Sequence, residues 1–334
     1  MKDIVAKVAL LLVLIPAMVI AGEDAPASIW PLASTYSIVA FDSATGQFGA
    51  AVQSHYFKVA DVIWLEPAVG AVATQSLVDF SYGPLGLEMM EKGKSATQAL
   101  EGLLASDPDN QVRQVAMIDR NGVVAVHTGT RCIAEAGHQT GKNFSCQANL
   151  MRNNSVWGAM AKAYENTEGE LPDRLMAALE AAQAEGGDIR GMQSAAMVVV
   201  AAHPTGKSWV DKIVDIRVDD SPEPLPELKR LLNLTRAYKH MDKGDEYITL
   251  QKYDDANREY SMAAQMAPGN SEIRFWQAVT LADVGQVDRA VPFFRRAFTN
   301  DQSWIELLWR LPGVGLLRAD STTIARIVQE AERR

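Results

Sequence analysis

Two histidines in this sequence could take up or release a proton near neutral pH. His127 follows an apolar run that we predict to be a strand. His138 lies eleven positions after His127 and directly follows a glycine. An unperturbed imidazole titrates close to neutral pH, so either ring could act as an acid or a base, or bind a substrate. A lone histidine is more often a structural hydrogen-bonding group, and that alternative stays open.

A denser polar set follows Gly186-Gly187 and comprises Asp188, Arg190, Gln193 and Ser194. The guanidinium of Arg190 presents a planar fork of donors that fits a carboxylate. Arg190 could therefore hold a carboxylate of a substrate, or it could pair with Asp188 within the protein. We predict Asp188, Arg190 and Gln193 as substrate-binding residues on this basis.

Neither a metal nor a cofactor is predicted. The five histidines lie far apart, and the sequence contains no His-Glu-x-x-His, no Cys-x-x-Cys, no phosphate-binding loop and no dinucleotide fingerprint. The formal net charge of -9 argues against a nucleic-acid surface, because binding to phosphates requires clustered lysine and arginine. Local motifs alone thus lead no further than a globular α+β domain.

Paired strands must position these residues. The apolar runs 36–40 and 48–53 flank a polar stretch that ends in Gly46, which suits a hairpin turn. A second hairpin joins 114–119 to 123–128 through Asn121-Gly122, the strongest short-range hairpin signal. Residues 69–74, 194–202 and 213–218 are also apolar and strand-like, and the last block should place Asp215, Arg217 and Asp219 on one solvated face.

Helices separate these strands. Residues 84–105 have the apolar spacing of one helix, and two amphipathic helices are predicted over 156–165 and 171–185, the second ending at a glycine pair. Strands, two helical blocks and strands again predict an α+β domain in which helices cover both faces of largely antiparallel sheets. From Leu225 onward the sequence is all-helical.

A repeat is visible in this helical tail. Ala256, Tyr260 and Ala263 recur 34 positions later as an alanine, a phenylalanine and an alanine. This is the length of a tetratricopeptide unit, and small residues recur where two helices approach closely. A generic helical hairpin is the alternative. One or two units cannot bury their faces alone, so we expect the tail to pack on the main domain or to bind a protein partner.

The N-terminal residues predict export. Lys2 and Lys7 precede the apolar stretch 8–21, which is short for a membrane span and has the features of a signal peptide cleaved after Ala21. An uncleaved helix is the alternative. The protein would then be periplasmic or secreted, with no membrane contact after cleavage. Residues 22–34 contain two prolines and no period, and are predicted to be a linker outside the core.

Export bears on the two cysteines, Cys132 and Cys146. In an oxidising compartment they could form one disulfide, or they could be two separately buried thiols. Their sequence spacing does not decide whether the two Cα atoms come close enough to be bridged.

A family resemblance carries the analysis further. Five blocks, TYSIVAFDSATGQFGAAVQS, GAVATQSLVDFSYGPLGLE, RQVAMIDRNGVVAVHTGTRCIAEAGH, GGDIRGMQSAAMVVV and VDIRVDDSPEPLPEL, resemble in order and spacing the family called domain of unknown function 1028. They cover residues 35–233, which leaves 234–334 as a tetratricopeptide-like domain. The resemblance implies a four-layer αββα sandwich similar to N-terminal nucleophile (Ntn) hydrolases, enzymes that cleave amide bonds. Some members of the family carry a peptidoglycan-binding module, which points to the cell wall.

In such hydrolases the first residue of the mature chain is the nucleophile and its own α-amine is the base. Thr35 opens the first strand of the family block and is the residue that the resemblance places in this role. Cleavage after Ala21 would leave thirteen residues ahead of Thr35, so activity would require self-processing or a second protease. A threonine at a strand start is also ordinary β-propensity, and a structural role is the alternative.

The same resemblance suggests partners for Thr35. Gln53 and Ser54 end the second strand opposite Thr35, where related hydrolases place a polar or acidic group, and Thr74 and Gln75 end the next strand. Asn149 stands where the family tends to have Gln-Gly-Asn, and its amide could donate to an oxyanion. Gln53 and Asn149 are predicted to be catalytic with Thr35. The predicted substrate-binding residues are Ser54, Thr74, Gln75, His127, His138, Asp188, Arg190 and Gln193.

Two functions remain at this point. One is an exported amide hydrolase that acts on a peptide or a peptidoglycan-like substrate. The other is a non-catalytic binding or scaffold protein that holds a partner through its helical tail. A homo-oligomer is compatible with either function.

Overall fold

A computed structural model describes residues 32–333. The predicted signal peptide and most of the predicted linker lie outside the described residues. Among the helices of the described region, none is both long and apolar enough to cross a membrane.

Two antiparallel sheets form the first part of the protein, as the sequence predicts for an α+β fold. The first sheet has the order β1-β5-β6-β7, with β4 also pairing with β5, and the second has the order β11-β10-β3-β2-β9-β8. The strands are β1 (Leu32–Ala33), β2 (Thr35–Asp42), β3 (Gln47–Ser54), β4 (Ile63–Glu66), β5 (Gly70–Leu77), β6 (Arg113–Asp119), β7 (Val124–Thr128), β8 (Gly137–Gly141), β9 (Phe144–Ala148), β10 (Ser194–Val200) and β11 (Lys212–Val218).

Helices flank the sheets and form the C-terminal region. They are α1 (Tyr82–Glu91), α2 (Ala96–Ser106), α3 (Val156–Asn166), α4 (Leu171–Ala184), α5 (Ser208–Asp211), α6 (Pro224–Thr249), α7 (Tyr253–Met266), α8 (Ser271–Asp283), α9 (Val287–Asn300), α10 (Ser303–Arg310) and α11 (Ser321–Glu332). Helices α1 and α2 contact the first sheet, whereas α3, α4 and α6 contact the second. The C-terminal helical region is therefore confirmed.

The two sheets pack face to face through small and branched side chains. Val39 and Val52 from the second sheet and Ala71, Ala73 and Ile118 from the first belong to one buried cluster. Because successive strand residues point to opposite faces, these positions identify which side chains face the other sheet. The alternate positions, such as Ile38 and Val72, face the flanking helices instead.

Both predicted hairpins form. Gly46 closes the turn between β2 and β3 with φ 74°, and Gly122 closes the turn between β6 and β7 with φ 75°. Glycine adopts this left-handed conformation without the steric cost that other residues meet. In the second hairpin the carboxylate of Asp119 also accepts hydrogen bonds from the backbone N–H groups of Asn121 and Val123.

Asp119 has a further hydrogen-bond partner, from which we predict a contribution of this residue to stability. Its Oδ2 accepts a hydrogen bond from the N–H of Ala96, so this buried carboxylate joins the hairpin to the start of α2. Asp119→Ala leaves three backbone donors without their acceptor. We expect the free energy of unfolding in urea to fall by about 2–4 kcal/mol. Asp215→Ala, at an exposed position on β11, is the control, and an equal effect of the two changes would contradict this role.

The single helix predicted over 84–105 is wrong. The chain forms α1 and α2 instead, separated by four residues that include Gly93 at φ 91°. Ser95 caps α2, because its side chain accepts from Gln98 N–H and the side chain of Gln98 accepts from Ser95 N–H. This reciprocal capping box starts a new helix, and the sequence signal Ser-x-x-Gln was present.

The end of the predicted linker is part of the fold. Leu32 and Ala33 form β1, which pairs with Leu77 and Ser76 of β5, and Ala33 and Ser34 are fully buried. Hydrophobic periodicity could not reveal this strand, because a strand of two residues is too short to show an alternating pattern.

The predicted boundary at residue 233 falls inside α6, a continuous helix of 26 residues. Leu225, Leu228 and Leu232 in its first half pack in the core beside the second sheet, while Ala237 packs with Ala263 of α7. One helix thus belongs to both regions, and the two do not separate at this point.

The repeated residues of the tail are buried at the crossings of two helical hairpins, α6–α7 and α8–α9. Tyr260 in α7 and Phe294 in α9 occupy equivalent positions and are both fully buried. A Cβ on Gly244 would lie 2.7 Å from the Tyr260 ring, so α6 and α7 approach closely at this glycine.

Candidate functional site

Polar side chains replace the apolar core at one end of the space between the sheets. They come from six strands or strand ends and occupy positions that alternate with residues facing the helices. All of them are fully buried: Thr35, Ser37, Ser54, Gln75, Gln114, Gln147, Asn149 and Ser194. We call this set the polar layer. Thr35 pairs with Ser54 in the β2–β3 ladder, as the sequence predicts.

Amide and hydroxyl groups connect the centre of the polar layer. Ser37 Oγ donates to Gln75 Oε1 at 2.6 Å and accepts from Gln147 Nε2 at 2.6 Å. Gln75 Nε2 donates to Gln114 Oε1 at 2.6 Å, and Asn149 Nδ2 donates to the same oxygen at 3.0 Å. Four strands are thereby joined across the two sheets, so the layer holds Thr35 in a rigid setting.

The hydroxyl of Ser37 connects the amides of Gln75 and Gln147, which allows a specific prediction. Ser37→Ala leaves Gln75 Oε1 without its donor and Gln147 Nε2 without its acceptor in a buried site. We expect a loss of about 1–3 kcal/mol in the free energy of unfolding, measured by thermal or urea denaturation. Ser43→Ala, in the exposed β2–β3 turn, should change stability by less than about 0.5 kcal/mol. Unchanged stability of the Ser37 variant would contradict the network.

The polar layer reaches the surface at His138. Gln114 Nε2 donates to Thr128 Oγ1 at 2.9 Å, and that hydroxyl lies 2.9 Å from His138 Nδ1. Partial burial lowers the pKa of His138, and repulsion from His127 lowers it further. His127 itself lies on the other face of β7, with its Nε2 2.8 Å from the carbonyl oxygen of Asn110. Of the two predicted histidines, only His138 joins the layer.

Thr35 is enclosed. Its Oγ1 donates to the carbonyl oxygen of Ala33 at 2.6 Å, and its own carbonyl oxygen accepts from Asn149 N–H at 3.1 Å and from Gln75 Nε2 at 3.2 Å. Ser34 precedes it in the chain, so the α-nitrogen of Thr35 is an amide. In this form the nitrogen cannot act as a base.

The carbonyl oxygen of Ser34, next to Thr35, is held by two donors. Ser54 Oγ donates to it, and Arg190 Nη2 donates to it at 2.9 Å. Asp188 fixes the guanidinium of Arg190 with bonds of 3.0 Å to Nε and 2.7 Å to Nη2. Arg190 therefore pairs with Asp188 and also polarises the peptide bond between Ser34 and Thr35. Donors at this distance stabilise negative charge that develops on a carbonyl oxygen.

Unpaired polar atoms cluster around the same site. Ser34 Oγ and Asn149 Oδ1 are buried and have no hydrogen-bond partner within residues 32–333. A buried polar group without a partner costs about 1–3 kcal/mol, so such groups commonly mark a functional site or a bound molecule.

Gln53 and Thr74 are predicted site residues that face the helices instead of the other sheet. Gln53 shares the face of Ala51, towards α3 and α4, and both atoms of its amide lack partners among the described residues. Thr74 shares the face of Val72, towards α1 and α2. The alternation of strand side chains is the reason, because only one residue of each pair, Gln53-Ser54 and Thr74-Gln75, can face the other sheet.

Gln193 also points elsewhere. Its backbone N–H donates to the carbonyl oxygen of Ser54, but its side chain bonds to Asp220 at 3.1 Å. Ser37, Gln114 and Gln147 were missed as site residues. The signal available was a glutamine or serine within otherwise apolar strands, at positions that alternate towards the partner sheet.

Both cysteines are free. Cys146 is fully buried on the face of β9 towards α3 and α4, and Cys132 Sγ donates to the carbonyl oxygen of Arg113. Burial raises the pKa of each thiol. Across the described part of the chain, no three His, Cys, Asp or Glu side chains are grouped as they would be in a metal site.

Comparisons with known proteins place this domain in a family. The family model described as "Family of unknown function (DUF1028)" matches residues 35–228. The crystal structure of protein SPO2555 from Silicibacter pomeroyi, assigned to the same family model, is similar at a TM-score of 0.54 with 30% sequence identity, and the match covers 60% of this chain and 84% of that one. No curated protein matches the sequence. The polar layer lies within the matched residues, and the chain belongs to the family of unknown function DUF1028.

Proposed function

We propose that this protein is an exported amide hydrolase of the N-terminal nucleophile type, in which Thr35 becomes the nucleophile once the Ser34–Thr35 bond is cut. The order of helices, sheet, sheet and helices supports an αββα sandwich of that type. The position of Thr35 at the start of a central strand supports its role. The substrate class is a peptide or a peptidoglycan-like amide, and no cofactor is required.

The two hydrogen bonds to the Ser34 carbonyl oxygen are the main support for this proposal. Ser54 and the Asp188-oriented Arg190 donate to the one carbonyl whose carbon a Thr35 hydroxyl would attack during self-processing. In this step, Thr35 Oγ bonds to the Ser34 carbon, the C–N bond breaks, and the hydroxyl proton passes to the departing nitrogen. The shift leaves the α-amine of Thr35 free. Water then hydrolyses the resulting ester, which releases a carboxylate on Ser34 and restores the Thr35 hydroxyl.

The free amine completes the proposed active site. It would accept the proton of the Thr35 hydroxyl when a substrate carbonyl is attacked, and Ser54 and Arg190 would hold the oxyanion. Asn149 and Gln75 would keep the strand end in place through their bonds to the Thr35 carbonyl oxygen. Asn149 Oδ1, which is unpaired among the described residues, could accept from the new amine.

The mass of the protein purified from its own host tests the proposal. A chain that begins at Thr35 is expected, and hydrolysis of amide substrates should require that form. A chain that begins at Gly22 would show signal cleavage without exposure of the Thr35 amine, and it would refute this mechanism.

A second candidate is the non-catalytic binding or scaffold protein, and a groove in the helical region favours it. The groove has a volume of about 1140 Å³ and lies between α6, the α7–α8 turn and the start of α10. Trp304 lines it, and the buried indole Nε1 of Trp304 has no hydrogen-bond partner among residues 32–333. In this function the 34-residue helical hairpins act as tetratricopeptide-like units that hold a protein.

Substitutions in the groove separate this candidate from the hydrolase. Truncation at Leu225 is unsuitable, because Leu228 and Leu232 belong to the main core. The double variant Asp301→Lys, Asn233→Lys makes the wall of the groove more positively charged. It should no longer capture a protein partner in pull-downs, whereas Thr35→Ala should capture the partner as the wild type does. An unchanged set of captured proteins would count against the scaffold function.

A further inference from the structure

The segment before Thr35 is bound as a peptide would be. β4 pairs with Gly70–Ala73 of β5, and β1 pairs with Ser76 and Leu77 further along. β6 occupies the other edge of β5, so β1 and β4 share one edge. Leu32 and Ala33 are therefore a short antiparallel strand added to the end of that edge, a common mode of peptide recognition.

The side chains of this segment meet three different environments. Leu32 is 36% exposed, whereas Ala33 is fully buried in the cluster between the sheets. Ser34 is also fully buried, and no described residue pairs with its hydroxyl. The position of Leu32 thus tolerates various residues, and the next two positions admit only small side chains. The position of Ser34 offers its side chain no polar partner.

The backbone carbonyl at the end of the segment has the strongest contacts. Ser54 and Arg190 hold the Ser34 oxygen, and Asp188 balances the charge of Arg190. Because the Arg190–Asp188 ion pair has no net charge, it suits an uncharged amide carbonyl group. The contacts are made to backbone atoms, so they would be available to any extended chain placed in the same way.

We propose that the space filled by Leu32–Ser34 is the acyl-side substrate site, and that it takes an extended peptide with small, uncharged residues at the two positions before the bond to be cut. This inference rests on the proposed hydrolase function. One oxygen, Thr35 Oγ, would attack both the Ser34 carbonyl and the substrate carbonyl. Both carbonyl carbons must then lie at the same position beside Thr35 Oγ, and both carbonyl oxygens must accept hydrogen bonds from Ser54 and Arg190.

Release of the segment after cleavage is a condition for turnover. Thr35 Oγ1 donates to the Ala33 carbonyl oxygen, and Ser54 and Arg190 donate to the Ser34 carbonyl oxygen. Cutting Ser34–Thr35 removes the covalent link that keeps the two-residue strand on β5. Two paired residues contribute too little to compete with the entropy gained on release. The vacated edge is then open to a substrate.

The test measures binding in a chain that cannot react. Full-length Thr35→Ala carries no hydroxyl for cleavage, and Ala33→Asp added to it places a charge at a buried position and should detach β1. We expect acetyl-Leu-Ala-Ala-amide to bind this double variant with a Kd on the order of millimolar, and to slow backbone hydrogen exchange in the Ser76-Leu77 segment of β5. The single variant Thr35→Ala, with β1 in place, should not bind it.

Specificity is read from a matched peptide. Acetyl-Leu-Ala-Leu-amide should bind at least about 10-fold more weakly, a difference of roughly 1.4 kcal/mol, because its last side chain must enter the space of Ser34. Circular dichroism checks that the double variant is folded. If it is not, Ala33→Pro replaces Ala33→Asp, because proline has no backbone N–H to pair with β5. Equal binding of the two peptides, or no binding to an opened and folded variant, would overturn the inference.

These outcomes are independent of the proposed function. Neither variant can cleave itself, because both lack the Thr35 hydroxyl, so peptide binding does not depend on whether the wild-type chain is processed. A wild-type chain starting at Thr35 with no peptide binding in the variants would keep the hydrolase and reject this substrate site. Peptide binding with an uncleaved wild type would reject the hydrolase instead.

Discussion

Thr35→Ala is expected to leave the Ser34–Thr35 bond intact in all of the purified protein and to abolish any amide hydrolysis. The substitution removes the Thr35 hydroxyl, which is the group proposed to attack the polarised Ser34 carbonyl. The fold should remain, because the variant loses a single hydrogen bond, from Oγ1 to the carbonyl oxygen of Ala33. Intact-mass measurement after expression in the native host, followed over time, reports the fraction of cleaved chain.

Two further variants make this prediction specific. Thr35→Ser keeps a hydroxyl and should still be cleaved, whereas Ser54→Ala removes one donor to the carbonyl oxygen. Removal of one such donor typically slows a reaction about 10²–10³-fold, so cleavage of the Ser54 variant should be slowed to that extent. Normal cleavage of Thr35→Ala would show that another protease makes the cut, and self-processing would be rejected.

Arg113→Met is expected to produce the largest loss of stability. Arg113 is fully buried, its Nε lies 2.8 Å from Asp107 Oδ2, and its Nη1 donates to the carbonyl oxygen of Leu77 at 2.7 Å. Tyr82 OH donates to the same Asp107 oxygen, so the group joins β5, β6, α1 and the end of α2. Removing one partner of a buried ion pair costs about 3–5 kcal/mol, because the other charge is left without compensation.

The pH dependence of this loss follows from Asp107. Burial acts to raise its pKa, but the hydrogen bonds from Arg113, from the backbone of Asp109 and from Tyr82 outweigh burial and lower the pKa overall. A lowered pKa in the folded state contributes stability above the ordinary pKa of aspartate, and this contribution disappears as the pH falls through the lowered value. The difference between wild type and Arg113→Met should therefore narrow in acid.

A matched control separates the buried pair from an exposed one. Arg217→Met makes the same substitution on β11, where Arg217 lies 3.5 Å from Asp219 and the two side chains are 54% and 35% exposed. Exposed pairs contribute about 0–1 kcal/mol, so this variant should unfold near the wild-type denaturant midpoint. Similar midpoints for the Arg113 and Arg217 variants would contradict the structural role of Arg113.

Local sequence patterns predicted the elements that depend on neighbouring residues. Gly46 and Gly122 identified two hairpin turns because glycine takes positive φ at little cost. The 34-residue spacing of Tyr260 and Phe294 identified two helical hairpins with equivalent buried positions. Periodicity failed over 84–105, because the apolar spacing continues across the break between α1 and α2 and only the cap at Ser95 marks a new start.

The contents of the site depended on contacts between distant residues. The family resemblance identified Thr35 and Asn149, and the polar set after Gly186-Gly187 identified Arg190. Ser54 and Gln75 were identified as polar residues at strand ends, but this gave no basis for separating Ser54 from Gln53 or Gln75 from Thr74. That choice depends on which face of each strand meets the other sheet, which only the packing of the two sheets decides.

By itself the sequence determined the family blocks, the α+β class, the helical tail and Thr35 as the first residue of a strand. Tertiary structure alone decided that Leu32 and Ala33 pair with an edge of β5, and that Ser54 and Arg190 donate to one carbonyl oxygen. The physical reason is the distance in sequence between the residues that interact. Turns, caps and periodicity arise from residues a few positions apart, whereas Arg190 and Ser34 are 156 positions apart and meet only when β2, β3 and the segment before β10 are packed together.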